Sequence, residues 1–319
     1  MPADSLGTPG SAHEPARKPG RLGIGIIGAG RVGAVLGAAL RAAGHAVVGA
    51  TGISEATLER IDVLLPGVPV LEAQQVVERS ELVLIAVPDD DLPKVIAGLA
   101  DLGAWQPGQL VVHVSGAHGL GVFEPARRFG IIGLAIHPAM TFTGTSLDLN
   151  RLEGATFAVT AQAPVLPIAQ ALVVELGGEP IVIADAARGL YHAGLAHGAN
   201  HLVVLVAQAA DALRLAGVDN PGLALGPLLH AALDGALRSA DGVANPIMTL
   251  TGPVARGDAG TVARHLETLA GLARDHQITD ISPSYTALAR AATVRALGAG
   301  RITEDQAQGL LDALADPDR

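Results

Sequence analysis

Gly28-Ala29-Gly30-Arg31-Val32-Gly33 is the first run in this 319-residue chain whose spacing points to chemistry. It follows a β-branched stretch, Leu22–Gly28, and opens a helical one, Arg31–Ala43. At such a junction Gly28 permits a tight turn, Gly30 lets the backbone approach a diphosphate, and Gly33 allows the helix to pack closely on the strand. The unpaired N–H groups of the first helical turn, with the positive end of the helix dipole behind them, suit phosphate oxygens. A chance cluster is the plain alternative in a chain with 40 glycines, but here a second strand, His45–Ala50, follows about 20 residues after the turn, as a dinucleotide-binding unit requires.

The end of that second strand separates the two pyridine dinucleotides. NAD binders place an acid there for the ribose 2′-hydroxyl. This chain has Gly49-Ala50-Thr51-Gly52-Ile53-Ser54 and no acid before Glu55. A carboxylate would repel a 2′-phosphate, whereas Thr51 and Ser54 can donate to one, and Arg31 can reach the same edge. The expected cofactor is therefore NADP(H) in preference to NAD(H), with Val32, Val87, Pro88 and Ser115 completing its contacts. Ser54 also reads as the cap of a helix over Glu55–Leu64. Asp90 and Asp91 read as caps of the next helix more readily than as catalytic acids.

Further motifs follow in order: Val112-His113-Val114-Ser115-Gly116-Ala117, His137-Pro138-Ala139-Met140-Thr141-Phe142, Tyr191-His192 with Asn200, and Leu250-Thr251-Gly252-Pro253 with Arg256-Gly257-Asp258. Over residues 23 to 298 the chain resembles the Rossmann-like oxidoreductases whose C-terminal helical domain has no assigned function. These are relatives of the 6-phosphogluconate dehydrogenase-like superfamily, which includes ketopantoate reductases, pyrroline-5-carboxylate reductases and β-hydroxyacid dehydrogenases. The resemblance implies reduction of a small 2-oxo acid of the ketopantoate kind, with an imine reductase of the pyrroline-5-carboxylate type, or a non-catalytic NADP(H)-binding sensor, as alternatives. It also implies that the Ser115–Gly116 corner holds a substrate carboxylate. One departure stands out. β-Hydroxyacid dehydrogenases carry a proton-donating Lys four residues before an Asn on the long helix; if Asn200 matches that Asn, the Lys position is Ala196.

Hydride transfer to a carbonyl builds negative charge on oxygen, so a donor must stand close. His192 and Asn200 are eight residues apart, about two helical turns, and share one helix face. His192 is the first candidate for proton donor and Asn200 for orienting the substrate; helix packing is the plain alternative for the histidine. His137, fixed by Pro138, is a second acid candidate. Ser115 and Gly116 suit substrate binding, or form an ordinary turn. Arg256 can meet an anionic substrate group, or pair with Asp258, which can also cap a helix from Ala259. His197 and His201 have the i, i+4 spacing of metal ligands but lack accompanying carboxylates, so no metal is expected. Tyr191 and Tyr285 receive no role.

The elements that must position these residues alternate between two periods. Strand-like runs continue at Val68–Val70, Glu81–Val87, Gln109–Val114, Ile131–Ile136, Ala155–Val159 and Pro180–Ile183, with helices at Leu92–Leu102 and Ala163–Leu176. Runs rich in Val and Ile with little polar alternation predict a parallel sheet buried on both faces. From Asp185 to about Leu215 one long helix is expected. Breakers at Gly217–Pro221, Gly226–Pro227, Asn245–Pro246 and Gly252–Pro253 then divide the rest into about four helices. The fold class is α/β: a doubly wound Rossmann sheet over residues 21–184, then an all-α domain over 185–319 for substrate and dimer contacts.

Composition narrows the partners. The formal net charge of −10 disfavours nucleic acid and anionic lipid, leaving a small-molecule substrate. Cysteine is absent, which removes disulfides and thiolate ligands and fits a reducing, cytoplasmic compartment. Hydrophobic residues reach 49% while aromatics are only 2%, so the core must be aliphatic. Residues 1–20 read as a disordered tail without an apolar run, and no stretch is long enough to span a membrane. The long Ala-rich helix carries more apolar surface than one sheet edge covers, which predicts a homodimer.

Overall fold

The computed structural model describes residues 21–242 and 244–315; the tail expected over residues 1–20 lies outside the described residues. The Val- and Ile-rich runs form a seven-stranded sheet, β1 (Gly23–Ile27), β2 (Ala46–Ala50), β3 (Leu82–Ile85), β4 (Leu110–His113), β5 (Ile132–Pro138), β6 (Thr156–Thr160) and β7 (Glu179–Val182), in the order β2-β1-β3-β4-β5-β6-β7. Alternate side chains supply two cores. Ile24, Ile26, Leu82, Leu84 and Val112 face one side, with helices α1 (Arg31–Ala42) and α6 (Leu166–Glu175). Ile27, Val83, Ile85 and Val111 face the other, with α3 (Ala73–Glu78) and α4 (Leu92–Asp101). Burial on both faces explains why these strands show no polar alternation.

Three expectations change. The sheet is not wholly parallel: β5 pairs with β6 antiparallel, and β7 lies parallel to β6. The β5–β6 connection contains only the five-residue helix α5 (Leu147–Arg151), too little for the helical crossover that parallel neighbours need. Nor is every strand covered, since β7 is an edge with Val182 55% exposed. The short strand expected at Val68–Val70 reduces to one bridge between Ala50 and Val70. Helix α2 spans Glu55–Leu64 as expected, whereas α3, α5 and a 3-10 stretch over Leu120–Phe129 were not legible.

The chain divides into two compact units, Met1–His197 and Gly198–Arg319, and the division falls inside α7 (Arg188–Leu215), beyond the last strand. The C-terminal unit adds α8 (Pro221–Ala240), α9 (Ala259–His276), α10 (Ile281–Gly298) and α11 (Glu304–Ala315). Its core gathers Val262, Leu266, Ala289, Ala296 and Leu310. The break expected at Gly226–Pro227 does not occur; Pro227 lies within α8. Asp258 caps α9, accepting from the Thr261 amide and hydroxyl. Among the described residues no helix is long and apolar enough to cross a membrane.

After β5 the chain turns through Thr143 and Gly144, whose amides donate to the fully buried Asp148 carboxylate at 2.7 and 2.8 Å. These bonds, with one from the Thr143 hydroxyl, hold the Asp148 carboxyl below its usual range although burial alone would raise it. A depressed carboxylate stabilises the fold above its unfolded value near 3.9, and that contribution disappears as pH falls through the folded value. Asp148→Asn is expected to cost about 1–3 kcal/mol near neutrality. In urea melts the difference from the wild type should shrink as the pH is taken below about 4.

Candidate active site

Three glycines shape the floor of a cleft at the carboxyl end of the sheet. Gly28 has φ +85°, a left-handed conformation, and a Cβ there would lie 2.7 Å from the Ala86 carbonyl. A Cβ on Gly33 would lie 2.2 Å from the Gly28 carbonyl, so only glycine lets α1 start this close to β1. At Gly30 a Cβ would meet nothing within 4 Å: the space above it is open. No side chain caps α1, and its first-turn amides have no partner within the helix. That combination fits a diphosphate.

The cleft, about 890 Å³, runs past Gly28, Gly30, Thr51, Ser54, Val87 and Pro88. Thr51 accepts from the Gly28 amide at 2.8 Å and retains its hydroxyl proton for a ligand. Ser54 caps α2, its Oγ accepting from Thr57 N, so the plain reading of that serine is realised. Arg31 is exposed at the start of α1.

Ala86, Val87 and Pro88 also wall a second pocket, of about 200 Å³, completed by Val32, Asp89, Val114, Ser115, Gly116, His137 and His192. Most of the residues read from sequence as catalytic thus meet in one place. A Cβ on Gly116 would lie 2.3 Å from His192 Nδ1 and 3.0 Å from His137 Nε2, so both imidazoles converge on the one residue with no side chain. His192 Nδ1 is buried and has no hydrogen-bond partner among the described residues. His137 Nδ1 lies 3.0 Å from the Tyr191 hydroxyl, and the two imidazoles stand edge to face at 5.8 Å. With Tyr191 donating to Nδ1, the His137 proton sits on Nε2, toward Gly116. Asn200 and Arg256 lie in the C-terminal unit, the first exposed on α7 and the second ending a 3-10 turn, its carbonyl accepting from Gln306.

The residue that aligns this pocket is Arg188, which sequence reasoning sets aside as too strongly basic to donate a proton. Arg188 is wholly buried, donating to the Ser115 carbonyl at 2.6 Å and to Thr160 Oγ1 at 3.0 Å. Burial lowers its pKa, while Tyr191, Asp185 and Asp89 oppose the shift. His192 follows four residues later, on the same face of α7. Ser115 is engaged too: its amide donates to His113 Nδ1 and its Oγ accepts from His118 N.

Burial, then the neighbouring His192 and Arg188 charges, lower the His137 pKa to about 4. Burial and Arg188 lower that of His113 to about 3. Near neutrality both are uncharged imidazoles, a state in which His137 can serve as a hydrogen-bond donor. Both refuse a proton that the unfolded chain accepts below about pH 6.5; stability is therefore full above that pH and declines as the pH drops toward the folded values. Imidazole proton resonances followed by NMR should place the His137 midpoint near 4; a midpoint at 6 or above would contradict this environment.

Comparison with known proteins agrees with the architecture. Residues 8–138 match the Rossmann-like domain and residues 155–292 the domain of unknown function DUF2520. No curated protein matches by sequence. Among solved structures, an imine reductase from Pseudomonas sp. is similar at 17% identity, with 92% of this chain and 99% of that one covered and a TM-score of 0.63. A Myxococcus stipitatus imine reductase in complex with NADP+ is 17% identical over 91% of this chain and 99% of that one, TM-score 0.58. A Plasmodium falciparum pyrroline carboxylate reductase with NADP bound is 12% identical over 85% and 98%, TM-score 0.52. At these identities the likeness is one of fold. The two domain matches bear out the resemblance read from the four motifs: the chain joins a match to the Rossmann-like domain with a match to the DUF2520 domain.

Proposed function

We propose that this chain is an NADP(H)-dependent oxidoreductase that reduces a small 2-oxo acid of the ketopantoate kind. The observation that carries the reading is His192 Nδ1: a buried nitrogen without a partner, facing the side-chain-free surface of Gly116 where the dinucleotide cleft ends. An unsatisfied buried polar atom costs about 1–3 kcal/mol unless a ligand completes it. The preference for NADP(H) rests on the acid-free end of β2, with Thr51 and Ser54 in the cleft lining. Two of the structural neighbours are named as holding NADP or NADP+.

Gly28, Gly30 and the start of α1 would hold the diphosphate, Thr51 and Ser54 the ribose edge, and Val87 and Pro88 the passage into the second pocket. When bound, the reduced coenzyme supplies a hydride. His192 would donate a hydrogen bond to the carbonyl oxygen on which charge gathers and, when protonated, would deliver its proton there, leaving a neutral ring. His137 contributes a neutral N–H from the other side, oriented by Tyr191. Arg188 holds the Ser115 carbonyl and so fixes the Gly116 peptide between the imidazoles.

A second reading, imine reduction, is favoured by the pocket's charge. Its lining holds Asp89 and no lysine or arginine, which suits an iminium cation better than a carboxylate. An iminium already carries its proton, so the absent Lys would matter little. Purified protein is expected to gain thermal stability with NADPH more than with NADH. His192→Ala should lower kcat for 2-oxo acids by about 10²–10⁴-fold and leave cyclic imine reduction within about tenfold. Turnover on oxo acids unaffected by the substitution would remove His192 from the mechanism.

We further infer a homodimer. Val203 on α7 and Leu223 and Leu228 on α8 are 68%, 79% and 67% exposed, and an apolar groove of about 770 Å³ is lined mostly by α7, α9 and α10. Apolar helix faces left open in this way mark an interface. Light scattering during size exclusion should report twice the 32.1 kDa chain mass; a monomer at micromolar concentration would refute it.

A further inference from the structure

Two arginines flank a single glycine beside the dinucleotide cleft. Gly144, in the turn pinned by Asp148, has φ +81°, and a Cβ there would lie 2.8 Å from Arg31 Cγ, 2.8 Å from Arg60 Nε and 3.1 Å from Arg31 Cα. The two side chains are therefore neighbours, packed on the same glycine. Arg31 opens α1 next to Gly30; Arg60 lies on α2, one turn beyond Thr57, which lines the cleft with Thr51 and Ser54.

Neither guanidinium enters an ion pair among the described residues. The nearby Asp148 carboxylate is already taken by Thr143, Gly144 and Arg151. Lys94, the basic residue in the cleft lining itself, is paired with Asp91 at 3.0 Å. Two adjacent unpaired cations repel, and an anion with two charges is what relieves them. Arginine's planar fork is suited to phosphate oxygens.

We propose that Arg31 and Arg60 together form a phosphomonoester site that takes the 2′-phosphate of NADP(H), with Gly144 as the backbone surface that keeps both side chains on one side. This rests on the coenzyme reading above and deepens it: selectivity between the coenzymes would reside in α2 and the turn after β5, not at the end of β2 alone. The diphosphate common to both coenzymes is the other source of the same chemistry, and the experiment separates the two.

Calorimetric titration of the full chain with NADPH, NADH, adenosine 2′,5′-bisphosphate and ADP makes the test, on the wild type and on Arg60→Gln, Arg60→Lys and Arg31→Gln. Each Gln variant is expected to weaken NADPH and the bisphosphate by about 10–100-fold, the range of one charge-assisted hydrogen bond, and to leave NADH and ADP within about twofold. Arg60→Lys should recover part of the loss, and thermal melting of each variant checks the fold. Equal weakening of both coenzymes would assign the pair to the diphosphate and overturn the proposal, as would no weakening. A wild type that binds neither coenzyme would overturn the redox reading along with it, whereas NADPH binding indifferent to Arg60 would overturn this inference alone.

Discussion

The pocket depends on one buried guanidinium. Arg188 ties the carbonyl after β4 to the hydroxyl at the end of β6, and it does so from the first turn of α7. Two of its nitrogens are bonded while the buried Nε has no partner among the described residues, so the buried charge rests on those two bonds, and removing either partner is costly. The arginine therefore holds its position firmly, and the helix it opens inherits that position. His192 is carried one turn along on the same face, so its imidazole is aimed at Gly116 by the helix and not by a hydrogen bond of its own. The same charge helps keep His113 and His137 neutral. One interaction thus sets both the geometry and the protonation of the neighbouring rings.

Much of this was legible from residue order. The glycine spacing needs no tertiary information because each glycine answers a local steric demand: a left-handed turn at Gly28, open space at Gly30, contact at Gly33. Strand identity was legible from Val and Ile runs buried on two faces. Strand direction was not, since the reversal of β6 is decided by how little helix the β5–β6 connection holds, and composition says nothing about that. Pro227 misled because α8 tolerates an imino residue where its surface is exposed and the lost hydrogen bond can be met by water.

The candidate site divides along similar lines. His137, His192, Ser115 and Gly116 stand at strand ends or on one helix face, where periodicity announces them. Arg188 and Arg60 act through partners 73 and 84 positions away in the chain, Ser115 and Gly144, which only the folded chain brings near. The neutral state of His137 was equally hidden, because it follows from burial and from charges on other elements. Residue type gave that histidine its candidacy; its surroundings set its protonation.

The rim of the sheet has its own consequence. Along β7 and the residue that follows it, the amides of Glu179 and Ile183 point inward, to the carbonyls of Ala155 and Val159, so the alternate positions, Pro180 and Val182, turn their backbone outward. Pro180 has no N–H to offer there. An incoming strand would find a single outward donor along this margin, too few for a continuous ladder, and a rim that carries apolar side chains is thereby kept from recruiting another molecule's backbone.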